Sequence, residues 1–140
     1  MNGIDPIGTL RHIYRRVNQL FHLIIAILSL TETGGEVTTT GIGTEDVVYI
    51  NETPLGVFKP RVVQIDFSAQ LVTDTTVVRV YYRIAPLGAK IMKDEKVFAG
   101  VQIPVLKNIV LEPNRFGVAV GIETIVGAAA IYPWTVFYEV

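Results

Sequence analysis

The chain has no cysteine, two histidines and few charges, and each shortage removes a class of function. Without cysteine there is no disulfide, no zinc–thiolate centre and no cysteine nucleophile. The 12 Lys and Arg are balanced by 13 Asp and Glu, for a formal net charge of −1. The basic patch that nucleic-acid binding normally requires is therefore missing. A bilayer span needs about 20 apolar residues, and no such run exists. The longest, from Leu23 to Leu30, is interrupted by Ser29, and backward extension meets His22, Gln19, Asn18, Arg16 and Arg15. The opening MNGIDPIGTL lacks the basic-then-apolar order and small-residue cleavage site of a secretory signal, so none is expected. Of the 140 residues, 50% are hydrophobic and only 18% charged. That length suits one domain, and so little surface charge implies that some apolar area faces partners.

Reactive groups are equally scarce. His12 and His22 fall at polar helix positions too far apart to share a metal. Ser29 lies in an apolar run and Ser68 on the polar face of a strand, with no histidine and carboxylate suggested for either. The acidic pairs Glu45-Asp46 and Asp94-Glu95 read as turn-side carboxylates, without the alternating oxygen ligands of a calcium loop. The stretch TTGIGTED imitates a phosphate loop, but a strand follows it where a phosphate cradle needs a helix N-terminus. No catalytic residue, cofactor or metal site is expected, and the chain reads as non-enzymatic.

What the sequence has in quantity is pattern. Up to about Leu30 it reads as helix, with Asp5 as N-cap and Pro6 in the first turn. The Thr31–Gly35 region should stop it. The expected organisation is an N-terminal oligomerisation helix over 1–33, a Gly/Thr-rich connector over 34–46, and an antiparallel β-sandwich or jelly roll over 47–140. In RVVQIDFSAQL, Val63, Ile65, Phe67, Ala69 and Leu71 alternate with polar residues, and VVRVYYRI repeats the pattern. The intervening VTDTT predicts a hairpin through Asp74. FGVAVGIETI, YPWTVFYEV, VVYI, KVFAG and NIVLE complete seven or eight strands with regular turn signals, the pattern of a sandwich or jelly roll.

The opening helix carries Leu10, Ile13, Val17, Leu20, Ile24 and Ile27 at successive a and d positions of a heptad. That spacing keeps a stripe facing a partner helix. Phe21 and Leu28 widen the strip beyond a two-stranded seam and favour a trimer. After Leu23 the apolar character runs all round, so the last turns need cover on every side, from the base of the β-domain or a neighbour's. A single helix packed on its own sandwich would show similar spacing, and Arg11, Arg15 and Arg16 leave an interfacial membrane helix as a further reading. The intermolecular seam is the preferred one.

Large rings are expected on both faces of the strands. Tyr81 lies opposite Tyr82, and Phe137 opposite Trp134 and Tyr138. An outward face so apolar calls for loop cover, a subunit interface, or a glycan-binding platform built on Tyr81, Trp134 or Phe137. The order of seam LRHIYRRVNQLFHLIIAIL, Gly/Thr-rich connector and all-β head resembles trimeric viral surface proteins such as head fibres, capsid decoration proteins, turrets and spikes. Archaeal pilins also place an apolar helix before a β-sandwich, but Arg15, Arg16, Asn18 and His22 interrupt the helix here. The resemblance implies a homo-oligomer on a virion surface, contacting other capsid or particle proteins. The rival expectation is a monomeric carbohydrate- or ligand-binding sandwich.

Overall fold

The computed structural model describes residues 11–19, 30–52 and 59–139. A helix, α1, covers residues 11–19. Eight strands follow: β1 (Leu30–Thr38), β2 (Glu45–Asn51), β3 (Lys59–Asp66), β4 (Thr75–Tyr82), β5 (Ile91–Ala99), β6 (Leu106–Val110), β7 (Val118–Val126) and β8 (Ile131–Glu139). They form two four-stranded antiparallel sheets, ordered β1-β8-β3-β6 and β2-β7-β4-β5. The pairing is nested: β1 with β8, β2 with β7, β3 with β6 and β4 with β5, while β3–β8 and β4–β7 join these ribbons into sheets.

Period-two alternation sets which side chains meet between the sheets. Val63 and Ile65 of β3, Val78 and Val80 of β4, Val118, Val120 and Ile122 of β7, and Tyr132 and Val136 of β8 form one buried cluster. Both sheets feed the same core, which makes the domain a β-sandwich. At one end Phe67 closes it, with its ring centroid 4.5 Å from Phe98 and 5.5 Å from Tyr132. Val77 is buried on the opposite face of β4, flanked in register by Val97 and Glu123.

Antiparallel order sorts the connections to two poles. The β1–β2, β3–β4, β5–β6 and β7–β8 loops (39–44, 67–74, 100–105 and 127–130) gather at one, called here the loop pole. The other, the terminal pole, holds Leu30, Lys59 and Glu139 side by side in register, with the β4–β5 and β6–β7 connections.

Three expectations are corrected. The 34–46 connector is mostly sandwich: 30–38 is β1, which leaves only 39–44 as a loop. Its sequence, LTETGGEVT, hides a strand because Gly34 and Gly35 carry no side chain to alternate. Those glycines are what the pairing needs. A Cβ at Gly34 would sit 2.8 Å from the Trp134 carbonyl oxygen, and one at Gly35 would sit 3.3 Å from the Trp134 ring. The second correction concerns the helix. Among the described residues it spans 11–19 and no long coiled-coil strand is present, while the chain is β by Leu30. The Asp5-Pro6 start lies outside the described residues. Third, β3 and β4 are not a hairpin, since each belongs to a different sheet. Asp74 does close their connection, accepting a hydrogen bond from the Leu71 amide at 2.8 Å, but the turn crosses from sheet to sheet.

Candidate functional site

The helical stripe was the principal site expectation. Two of its residues are described, and both are exposed: Ile13 at 52% and Val17 at 57%. Tyr14 between them is 68% exposed, and Arg11, Arg15 and Arg16 are exposed as well. The sandwich in the same chain therefore leaves these apolar side chains uncovered. Leu10, Leu20, Phe21, Ile24, Ile27 and Leu28 lie outside the described residues.

The most organised polar group was not foreseen. Arg79 sits at the centre of the outer face of the β2-β7-β4-β5 sheet and bonds a carboxylate on each other strand. Its Nη1 donates to Glu123 of β7 at 2.5 Å and to Glu45 of β2 at 2.8 Å; its Nε donates to Glu95 of β5 at 2.8 Å. The Tyr81 hydroxyl also donates to Glu45 at 2.8 Å. The Glu123 bond, followed by those to Glu45 and Glu95, holds the guanidinium pKa far above its ordinary value. Burial, aided by the hydrogen bond to Glu45, raises the Tyr81 phenol. Gly121 makes this reach available: a Cβ there would collide with the Glu45 carboxylate. Each carboxylate oxygen involved faces a cation, an arrangement suited to binding four strands together rather than to proton transfer. Sequence reasoning placed Glu45 and Glu95 beside turns, yet Glu95 lies within β5. The four charges come from four strands, so no local spacing could reveal them.

The three rings of the expected glycan platform do not share a surface. Trp134 alternates with buried Tyr132 and Val136 and faces the core, 5.9 Å from the Tyr49 ring of the opposite sheet. Tyr81 and Phe137, one residue out of phase with core-facing Tyr82 and Tyr138, lie on the outer faces of different sheets. The separation follows from assigning β4 and β8 to opposite layers. On the outer face of β1, β8 and β3 an open groove of about 450 Å³ is bordered by Glu36, Gln64, Asp66 and Thr135. Two of its polar groups already have partners: Gln64 donates to Asn108 at 2.9 Å, and Asp66 accepts from the Ser68 amide at 2.8 Å.

Of the other residues weighed for chemistry, His12 is exposed on α1, and Ser68 is exposed and bonded to Asp66. His22 and Ser29 lie outside the described residues. The TTGIGTED stretch is a turn: Asp46 accepts from the Thr40 amide at 2.7 Å and hydroxyl at 2.6 Å, and Gly43 has φ +85°. No grouping of three or more His, Asp or Glu able to hold a metal occurs among the described residues. No described helix is long and apolar enough to cross a membrane.

No protein-family model and no curated protein matches the chain. Among solved structures it is similar to one described as "Bacillus endospore appendages form a novel family of disulfide-linked pili". That likeness has 14% identity and a TM-score of 0.43, and covers 80% of this chain and 89% of that one. The present chain, without cysteine, has no counterpart to the disulfide in that description.

Proposed function

We propose that this protein is a non-enzymatic structural subunit that self-associates through its N-terminal segment and presents a rigid β-sandwich outward. The observation that carries this reading is the exposure of Ile13 and Val17 on α1, with no cover from their own sandwich. Burying a Leu, Ile or Val contributes on the order of 1.5–3 kcal/mol. A stripe that continues through Leu20, Ile24 and Ile27 therefore gives strong reason to associate. The strand order supports the structural half. An antiparallel ribbon pairing first strand with last, then wrapped into two sheets, is jelly-roll connectivity, a frequent solution for shell and surface domains. Arg79, bound to a carboxylate on each of the other three strands of its sheet, suits a domain that carries load rather than one that opens around a substrate.

In its fuller form the reading is a homotrimer on the surface of a virion or comparable particle, docked to other particle proteins. The width of the stripe, with Phe21 and Leu28 beside the a and d positions, supports three chains over two. Sedimentation velocity of the full chain and of Val17→Asp is the test. A defined oligomer that Val17→Asp dissociates into folded monomers is expected. A wild-type monomer at micromolar concentration would leave the monomeric ligand-binding sandwich as the better account.

A further inference from the structure

Charge is distributed very unevenly between the two poles. The four loops of the loop pole read TTGIGT, FSAQLVTD, GVQIPV and GAAA, and Asp74 is their only charged residue. It is buried and occupied by the Leu71 amide. Around it, Ile42, Leu71, Val72, Val101 and Ile103 project outward, Val72 at 78% and Ile103 at 88% exposure.

The loops that carry Leu71, Val72, Val101 and Ile103 are tied down by hydrogen bonds. Buried Gln70 donates to the carbonyls of Phe98 at 2.9 Å and Gly100 at 2.7 Å, and accepts from the Thr76 hydroxyl at 2.7 Å. The Phe67 amide donates to Val105, and the Gly100 amide to Asp74. The result is a neutral apolar platform on a fixed frame.

The chain has a second stretch of the same character. From Asn18 to Thr31 there is no Asp, Glu, Lys or Arg, and 20–29 reads LFHLIIAILS. It joins the sandwich at Leu30, whose register partner is Glu139 at the terminal pole. Two apolar regions, 20–29 with no charged residue and the loop pole with only buried Asp74 in its loops, are thus attached to opposite ends of one domain. β1 has nine residues, so the poles lie about 30 Å apart. Ten residues reach at most about 35 Å when fully stretched and about 15 Å as helix. Turning back to the loop pole of its own chain would use nearly the whole fully extended length, whereas a neighbour stacked end to end places that pole directly beside Leu30.

We infer that the loop pole is the docking surface for the 20–29 segment of a second copy, arranged head to tail. This deepens the self-association reading and rests on its described part: the stripe about Ile13 and Val17 gathers the copies, while 20–29 goes to the loop pole of the next copy and not to the helix seam. It also supplies what the all-round apolar end of the segment requires, a neutral surface in place of a charged one. Such a contact is heterologous, so copies add in one direction unless the rotation closes a ring. Species larger than the oligomer formed by the helical stripe should therefore appear with rising concentration.

The cysteine-free background makes the test direct. Full-length Ile24→Cys is mixed with Val72→Cys and, separately, with Ile84→Cys, whose exposed parent residue lies at the terminal pole. Under mild oxidation the 24–72 interchain disulfide should form in at least roughly fivefold excess over 24–84. Parity between the two overturns the inference, as does a double variant, Ile24→Cys and Val72→Cys, that closes within a monomer at high dilution. Co-sedimentation with phosphatidylcholine vesicles, lost in Val72→Asp and kept in Val17→Asp, would assign the pole to lipid and also overturn it. If Val17→Asp dissociates the oligomer but the 24–72 link is absent, only this inference fails; if Val17→Asp changes nothing, the self-association reading itself fails.

Discussion

The loop pole and the terminal pole are built from different physics. The loop pole holds its connections by buried hydrogen bonds and tilted ring contacts. Gln70 is 2% exposed and Phe67 1%. The terminal pole is fastened by ion pairs in water: Arg83 and Lys90 to Glu52, Lys93 to Glu112, and Arg61 to Glu139. Buried, partnered polar groups are costly to disturb, while exposed ion pairs contribute little and are screened by salt. The same domain therefore has one end whose integrity depends on dryness and one whose integrity tolerates solvent. A surface that must stay fixed while presenting apolar side chains needs the first kind.

This contrast can be broken from the loop-pole side most forcefully. Phe67→Ala removes a buried ring packed on Phe98 and Tyr132, and should cost about 3–5 kcal/mol in denaturant unfolding. Gln70→Ala should cost roughly 2–4 kcal/mol, since the Phe98 carbonyl and the Thr76 hydroxyl lose the Gln70 side chain and the Gly100 carbonyl keeps only the longer bond from Gln102. If either substitution proved nearly neutral, the loop pole would not be the rigid frame described.

Alkaline pH sharpens the comparison. Burial raises the Tyr132 phenol, with the Asp74 carboxylate adding to the effect. A group whose folded pKa is raised contributes fully below its unfolded value and loses that contribution as pH rises toward the folded value. Stability should therefore be level below about pH 10 and decline above it, with a shallower decline in Tyr132→Phe. The smallest effect belongs to the terminal pole. Lys90, then Arg83, lower the Glu52 carboxyl, so its contribution is present above the ordinary carboxylate range and fades as pH falls through the lowered value. Because Glu52 is exposed, Glu52→Gln should give a marginal loss at neutral pH, absent in high salt. A loss that survived high salt would mean the two poles are not so different.

Legibility followed the range of the signal. Strands such as β3 and β4 were readable because alternation repeats within a few residues. β1 was not, because two glycines removed the alternation and its strand character comes from β8 and the Trp134 ring. Asp74 was readable as a turn residue, but not as a crossing between sheets, since both connections use similar local chemistry. Among candidate sites, the apolar stripe stood out through its heptad spacing, and its two described residues, Ile13 and Val17, are exposed. The Arg79 group gave no signal, because it depends on which strands become neighbours.

By itself the sequence determined that this protein is mainly β, short of reactive groups, and supplied with an apolar N-terminal stretch. Composition and local periodicity act over one or two turns of backbone and need no partner to be read. Only the tertiary structure decided that the strands nest first-with-last, that Arg79 meets three carboxylates, and that four neutral loops converge on one end. Those outcomes are long-range because a strand's neighbours are chosen by which faces can be buried together, and that choice is made by the whole chain.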